Sequence, residues 1–425
     1  MTLLPKIEAA GCGCDTLEST SLISIDEALT RIARSVRPID QTEDVPLAAA
    51  RGRALATPLC AAAPVPPFDN SAMDGYAIDT ASLTGNGPWH LSVTARVAAG
   101  QVAAASVGVG TAAQIFTGAP MPKGADSVVM QEDVQRSDGG IVVSRKVAPG
   151  THVRLAGGDM AAGDIVVRAG RPLTARDIAV CAAAGAATVT VRRPVRAALL
   201  VTGDEVNQAG ASRGQAGIWD VNTPMLTAAL AAAGITLERI ETGKDNRADL
   251  ARQLATLADS MDLIVTTGGI SVGEEDHVKP ALMGLGAVTV FSGVAIKPGK
   301  PVSFGHLGQT HWLGLPGNPL SAFVTWQLFG TALCRALAGD TPTPASRRHV
   351  VLAQAMHHRP GRCELRLARI TGFDGLGREV AQFAQETHSG RVADLPDSDG
   401  VILIPTEADI LAQGALVEFQ PFCDR

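Results

Sequence analysis

Three loops hold most of the residues in this sequence suited to chemistry. The first is Leu199-Leu200-Val201-Thr202-Gly203-Asp204-Glu205. The second is Ile264-Val265-Thr266-Thr267-Gly268-Gly269-Ile270-Ser271-Val272-Gly273, with Glu274-Glu275-Asp276 behind it. The third is Leu315-Pro316-Gly317-Asn318-Pro319-Leu320-Ser321. Glycines let backbone N–H groups come close to an anion, and a helix N-terminus adds partial positive charge. The carboxylates beside these loops would repel a bare anion. They suit a phosphate group if a divalent cation bridges carboxylate and phosphate. Taken singly, each loop is equally a tight turn and each carboxylate a solvated loop residue. Three such loops on one sheet edge are the stronger signal.

A fourth segment, Ala295-Ile296-Lys297-Pro298-Gly299-Lys300-Pro301, sets two lysines three apart around a Pro-Gly turn. Prolines on both sides restrict the turn, so it can aim both ammonium groups at one point. With a hydroxyl from Ser321 or Ser271, the pair suits a small dianionic oxyanion; alone such a pair is more often a solvated turn. Pro67-Phe68-Asp69-Asn70-Ser71-Ala72-Met73-Asp74-Gly75-Tyr76-Ala77 carries the chain's one tyrosine, two Asp and an Asn. This segment and Ile115-Phe116-Thr117-Gly118-Ala119-Pro120 read locally as polar turns. The Walker phosphate loop, a Gly-x-Gly-x-x-Gly dinucleotide turn and a Gly-x-Ser-x-Gly elbow are all missing.

These loops need a scaffold. The chain has 425 residues, 46% hydrophobic and 18% charged, which suits two to four domains with sizeable aliphatic cores. Its net charge of −6 argues against general nucleic-acid binding. No apolar run is long enough to span a bilayer, and the irregularly spaced cysteines read as reduced thiols of a cytoplasmic protein. Ser24 and Glu27 form a capping box ahead of a helix at about 24–36. Short strands over 89–149 suggest a small β module. Thr174 caps a helix at about 175–184. From Arg196 the pattern alternates strand and helix: strands 197–201, 235–241 and 262–266, and helices from Asn222 or Thr223 and over 247–258. That pattern predicts a parallel sheet with helices on both faces, ligands outside its carboxyl edge, and a long helix over about 320–336. Residues 349–425 return to short strands. The fold class expected is α/β plus β, multidomain and elongated.

At these residues the chain resembles the molybdopterin molybdenumtransferases, the molybdenum-insertion enzymes of molybdenum cofactor biosynthesis, which are similar to the C-terminal half of gephyrin. The matching segments are Phe68–Ala77, Ile115–Pro120, Asp126–Glu132, Thr202–Glu205, Gly268–Gly273 with Asp276, Lys297–Pro301 and Leu315–Ser321, in family order. The resemblance implies a flexible arm (1–21), a discontinuous first domain (22–62 and 150–194), an inserted β domain (63–149), an α/β molybdopterin-binding domain (195–341) and a C-terminal β domain (342–425). It implies a homodimer whose active cleft joins the α/β domain of one subunit to the inserted-domain region of the other. The implied reaction inserts molybdate into adenylylated molybdopterin, with Mg²⁺-dependent cleavage of the adenylyl phosphoanhydride and release of AMP. Hand-over from a molybdopterin adenylyltransferase and to molybdoenzymes goes with it; nucleic acid and membrane do not.

Carried over residue by residue, Asp69, Thr117, Glu205 and Asp276 match catalytic positions. Glu205, Asp276 and Asp159 match the Mg²⁺ side. Thr202, Gly203, Asp245, Gly268, Gly269, Ser271, Pro316, Gly317, Asn318 and Pro319 match substrate loops. Lys297, Lys300, Ser321, Arg366 and Ser389 match molybdate-binding positions. The chain departs from the pattern at Gly293, where some members carry a basic residue, and at Ser389-Gly390-Arg391-Val392-Ala393-Asp394-Leu395, where the family pattern is Ser-Gly-x-Leu-x-Ser-Leu. Two other readings stand beside the enzyme: a carrier or scaffold of the same fold that holds the cofactor without turnover, and an adenylyltransferase.

Overall fold

The computed structural model describes residues 22–212, 214–231, 234–244, 246–270, 277–340, 347–384 and 388–422. The strand–helix pattern after Arg196 folds as a six-stranded sheet. Its strands are β1 (Val195–Thr202), β2 (Ile235–Gly243), β3 (Leu263–Thr267), β4 (Val288–Ser292), β5 (Ser303–Leu307) and β6 (Thr310–Leu315). Their order is β2-β1-β3-β6-β5-β4. The first four run parallel, whereas β5 and β4 pair antiparallel. The sheet is therefore mixed, not wholly parallel as expected. The reason is local: β5 and β6 are joined by a tight turn through Gly308 (φ 60°), and so short a link permits only an antiparallel partner.

β1 is buried on both faces. Ala197, Leu199 and Val201 enter one core with Leu226 and Leu230 of helix α1 (Asn222–Leu230). Ala198 and Leu200 enter a second core with Leu250, Leu254 and Leu257 of helix α2 (Arg247–Ala258) and Ala281 of helix α3 (Val278–Gly284). That double burial explains the unbroken apolar run Ala197–Val201.

The N-terminal helix Ile25–Ser35 starts where its capping residue demands, with Ser24 Oγ accepting the Glu27 N–H at 3.1 Å. Its stripe of Ile25, Ala28 and Ile32 packs into the α/β core, the helix lying against β4 and the helix Thr331–Ala338. The helix after β6 is not continuous. Pro319–Thr325 is α-helical, Trp326–Gly330 is a π-helical turn, and Thr331–Ala338 is α-helical again. A Cβ on Gly330 would sit 2.2 Å from the Trp326 ring, so the close packing of that indole on the backbone requires glycine at 330.

The other two large sheets are all strand. One has six strands drawn from residues Gly75–Val143, and its strand Gly75–Ile78 lies between Thr111–Ile115 and the edge strand Ser127–Met130. In the C-terminal sheet, strand Cys363–Phe373 pairs at one end with Gly400–Ile404 and further along with Glu379–Phe383, which closes it into a barrel. Ile296–Lys297 adds to that barrel as a short parallel strand, joining the lysine turn to the C-terminal lobe. Short ladders pair Thr42–Pro46 with Thr188–Arg192, Leu59–Cys60 with Ile165–Val167, and Asn70–Ser71 with Val153–Arg154.

Candidate active site

The carboxyl ends of β1, β3 and β6 open into one cleft of about 430 Å³. Its walls include Thr202, Gly203 and Glu205 after β1, Gly268 and Gly269 after β3, and Pro316–Pro319 after β6. All three loops singled out by composition thus meet where a parallel edge binds ligands. The glycines are demanded by geometry. Gly268 has φ 86°, and a Cβ there would lie 2.7 Å from both the carbonyl oxygen and the hydroxyl of Thr202. No side chain fits, which keeps the β3 loop pressed against β1.

A buried amide ties the loops together. Asn222 donates to Thr267 Oγ1 at 2.8 Å and to the Gly317 carbonyl at 2.7 Å, and Thr267 in turn donates to the Pro316 carbonyl at 3.1 Å. The first residue of α1 therefore positions the loop after β6. Sequence reasoning read Asn222 or Thr223 as a helix cap. The structure corrects this: Asn222 is the first helical residue, and Asp220 Oδ1 accepts the Thr223 N–H at 2.9 Å. The segment between β1 and α1 folds back on itself, with Val206 paired to Ile218 and Asn207 to Trp219. That pairing puts Trp219 and Asp220 on the cleft wall, the indole 54% exposed. Neither residue was foreseen. The adjacent aromatic and carboxylate in Ile218-Trp219-Asp220 were the available signal.

Glu205 sits at the lip of the cleft. Both carboxylate oxygens lie 3.0 Å from the position of a Cβ on Gly203, and they have no partner among the described residues. Such an exposed hard-oxygen ligand is suited to a hydrated divalent cation, which keeps most of its water shell. Among the described residues no three His, Cys, Asp or Glu side chains form a metal-sized group. Asp276, Ser271 and Asp245 lie outside the described residues.

The oxyanion residues divide. Lys297 Nζ is 3.7 Å from Glu364 of the barrel, and Arg366 Nε donates to the same Glu364 oxygen at 3.1 Å. Lys300 is exposed and has no ion-pair partner among the described residues, so the two lysines do not converge on one partner. The parallel pairing of Lys297 with Glu364 is the reason, since it turns Lys297 toward the barrel. Ser389 accepts from Asn318 Nδ2 at 3.1 Å, and its carbonyl accepts the Leu320 N–H at 3.1 Å. Ser321 is buried in the first turn of the helix Pro319–Thr325. Arg366 is buried beside a small cavity that it shares with Leu320, His388 and Arg391. The third loop thus separates the cleft from a cation-bearing seam against the barrel.

Asp69, Thr117 and Asp159 lie elsewhere, in a second cluster of loops. Asp69 accepts the Ala156 N–H at 2.7 Å, and the Asp159 N–H donates to the Val65 carbonyl at 2.9 Å. Thr117 donates both its N–H, at 2.8 Å, and its hydroxyl, at 2.9 Å, to Asp74 Oδ1. All three predicted residues are exposed, and none lines the cleft of the same chain.

Sequence profiles cover nearly the whole described chain. The MoeA N-terminal region (domain I and II) matches residues 23–185, a probable molybdopterin binding domain matches 198–336, and the MoeA C-terminal region (domain IV) matches 349–422. The molybdopterin molybdenumtransferase of Haemophilus influenzae is 36% identical over 322 residues, 75% of this chain and 78% of that protein. Molybdopterin molybdenumtransferase 2 of Mycobacterium tuberculosis is 31% identical over 401 residues, 92% of this chain and 96% of that one. The chain belongs to the MoeA family. The crystal structure of the molybdopterin biosynthesis moeA protein from Pyrococcus horikoshii OT3 shares this fold, with a TM-score of 0.80 at 27% identity over 94% of this chain and 100% of that one. The multidomain architecture, with its α/β domain and C-terminal β domain, is thus as anticipated from the sequence, whereas closure of the last domain into a barrel was not. Named relatives of this length make the family one of transferases.

Proposed function

We propose that the protein is a molybdopterin molybdenumtransferase that inserts molybdate into adenylylated molybdopterin and cleaves the adenylyl phosphoanhydride, releasing AMP. One observation carries this reading: the cleft at the sheet edge joins tight glycine turns, an exposed indole and the Glu205 carboxylate, which has no partner among the described residues, in a single volume. A nucleotide-bearing substrate needs these three things, namely backbone donors for phosphate, a flat face for a ring, and ligands for a divalent counter-ion. When bound, Mg²⁺ would neutralise phosphate charge as the anhydride breaks; Glu205 would hold it with Asp276. Gly268 and Gly269 keep the β3 loop close to Thr202, Asn222 holds the loop after β6 in register, and Trp219 orients a ring. The seam at the barrel, with Lys297, Arg366 and Ser389, supplies cations and hydroxyls for molybdate. The third loop walls it from Glu205, and Glu364 holds Lys297 and Arg366 within it, so two anions can be held side by side.

Because Asp69, Thr117 and Asp159 lie outside this cleft, the reading includes a homodimer in which a partner copy brings them. It also includes the division into residues 22–62 with 150–194, 63–149, 195–341 and 342–425, and a cytoplasmic enzyme fed by an adenylyltransferase; no described helix is long and apolar enough to cross a membrane. The test is AMP release from adenylylated molybdopterin with Mg²⁺ and molybdate. Stoichiometric AMP and molybdenum cofactor are expected. Tight binding without AMP would convert the reading to a carrier, and pyrophosphate from ATP plus molybdopterin to an adenylyltransferase.

A further inference from the structure

The segments around Asp69 and Thr117 contain a second aspartate, Asp74, that the resemblance assigned no role. The fold holds its backbone firmly. Its carbonyl accepts the Gln131 N–H at 3.1 Å, and the preceding turn is closed by Ser71 Oγ, which donates to the Met73 carbonyl at 2.5 Å. Gly75 follows, and a Cβ there would lie 2.0 Å from the Val129 carbonyl oxygen, so only glycine lets the strand approach its neighbour this closely. The Asp74 carboxylate is thereby delivered to the loop after strand Thr111–Ile115. There a single oxygen, Oδ1, accepts both the N–H and the hydroxyl of Thr117.

We infer that Asp74 is a positioning residue that fixes Thr117 as a hydrogen-bond acceptor toward the substrate. The inference rests on the functional reading above, in which Thr117 faces the reacting cleft of a partner copy. A threonine hydroxyl has one proton and two lone pairs. Here the proton is committed to Asp74, so only lone pairs point outward. The two Thr117 hydrogen bonds also hold the Asp74 carboxyl below the usual carboxylate range, so it accepts and does not donate near neutral pH. What meets Thr117 must therefore donate: an N–H of a ring, or water bound to a cation. A bare phosphate or molybdate oxygen would meet lone pairs backed by a carboxylate. This pairing also explains why Ala72-Met73-Asp74-Gly75 and Phe116-Thr117-Gly118 occur in one chain, which local turn chemistry did not.

The experiment measures AMP release for four variants of the full chain. Asp74→Ala and Thr117→Val should each lower kcat by about 100-fold, since a misplaced contact costs on that order, with KM little changed. The double variant should be no slower than Thr117→Val alone. Asp74→Asn should retain most activity, because its amide oxygen can accept the same two hydrogens. Losses that multiply in the double variant, or Asp74→Asn as slow as Asp74→Ala, would overturn the inference and make Asp74 a group that touches substrate itself. Should the wild type release no AMP, the functional reading fails, and an independent measurement still decides the pairing. The Thr117 amide resonance should shift as acid protonates Asp74 and stay flat in Asp74→Asn; a flat wild-type response would refute the contact.

Discussion

The cleft at the sheet edge and the loops around Asp69 and Thr117 are built in opposite ways. In the cleft the polar groups nearest the backbone are buried and tied to one another: Thr202, Thr267 and Asn222 are each less than a tenth exposed, and their hydrogen bonds join three loops. At the other site Asp69, Asp74 and Thr117 are exposed, and they are held by hydrogen bonds to loops 87 and 43 residues away in sequence, Asp69 by Ala156 and Asp74 by Thr117. A buried network positions a pocket whose described walls all come from one chain. An exposed, ordered set of carboxylates and a hydroxyl is positioned equally well, but none of it lines the cleft among the described residues of the same chain. The difference teaches that precise local geometry and a closed pocket are separate achievements; under the proposed homodimer, the second surface becomes a site only against a partner copy.

The sharpest way to break that comparison is complementation. If a partner copy supplies Asp69, then Asp69→Ala and Glu205→Ala are each inactive alone, yet random mixing of subunits should restore about a quarter of wild-type AMP release through one intact site per mixed dimer. No recovery on mixing refolded subunits would mean that the two surfaces do not share a site. Next in size, Gly268→Ala forces a Cβ against Thr202, moves the β3 loop, and should cost about 100-fold in kcat/KM with the circular dichroism spectrum unchanged. An active Gly268→Ala would show that the cleft tolerates what its geometry forbids. Trp219→Ala should raise the KM for the nucleotide-bearing substrate by about 10-fold, the scale of losing one ring stack, and leave the molybdate response alone.

A last test concerns stability and should touch neither surface. His311 starts β6 at the opposite end of the sheet from the cleft, stacked on Phe304 at 5.8 Å. Burial, with His306 adding to it, pushes its imidazole down to about 4. The fold thus favours the neutral ring. The contribution is complete above the ordinary value of about 6.5 and is lost as pH falls from there toward 4, up to about 3 kcal/mol. Thermal melts of the wild type should decline over that interval, and His311→Phe should flatten the decline. Parallel declines in both proteins would remove His311 from the account.

The helices at 25–35 and 247–258, the strands β1 and β3 and the three loops could be read from residue order, because each is set by neighbours a few positions away. The antiparallel pair β4 and β5 could not, nor the π-helical turn at Trp326, since both depend on what packs or pairs from a distance. Among site residues, Glu205 and the glycines were legible as types in motifs. Asp220, Asn222 and Trp219 were not, because their segment reaches the cleft only by pairing back on Val206–Asn207.

Residue order alone determined the inventory: which loops hold glycine beside acid, where two lysines sit on a turn, and which family the whole pattern follows. The tertiary structure decided the groupings. It sent Lys297 toward Glu364 and Arg366, set Asp74 behind Thr117, and kept Asp69 out of the cleft that holds Glu205. The physical reason is range. Turn chemistry and helical periodicity act over a few residues and leave their mark in the sequence, whereas strand pairing and domain packing join positions tens to hundreds apart and leave none that a single chain displays.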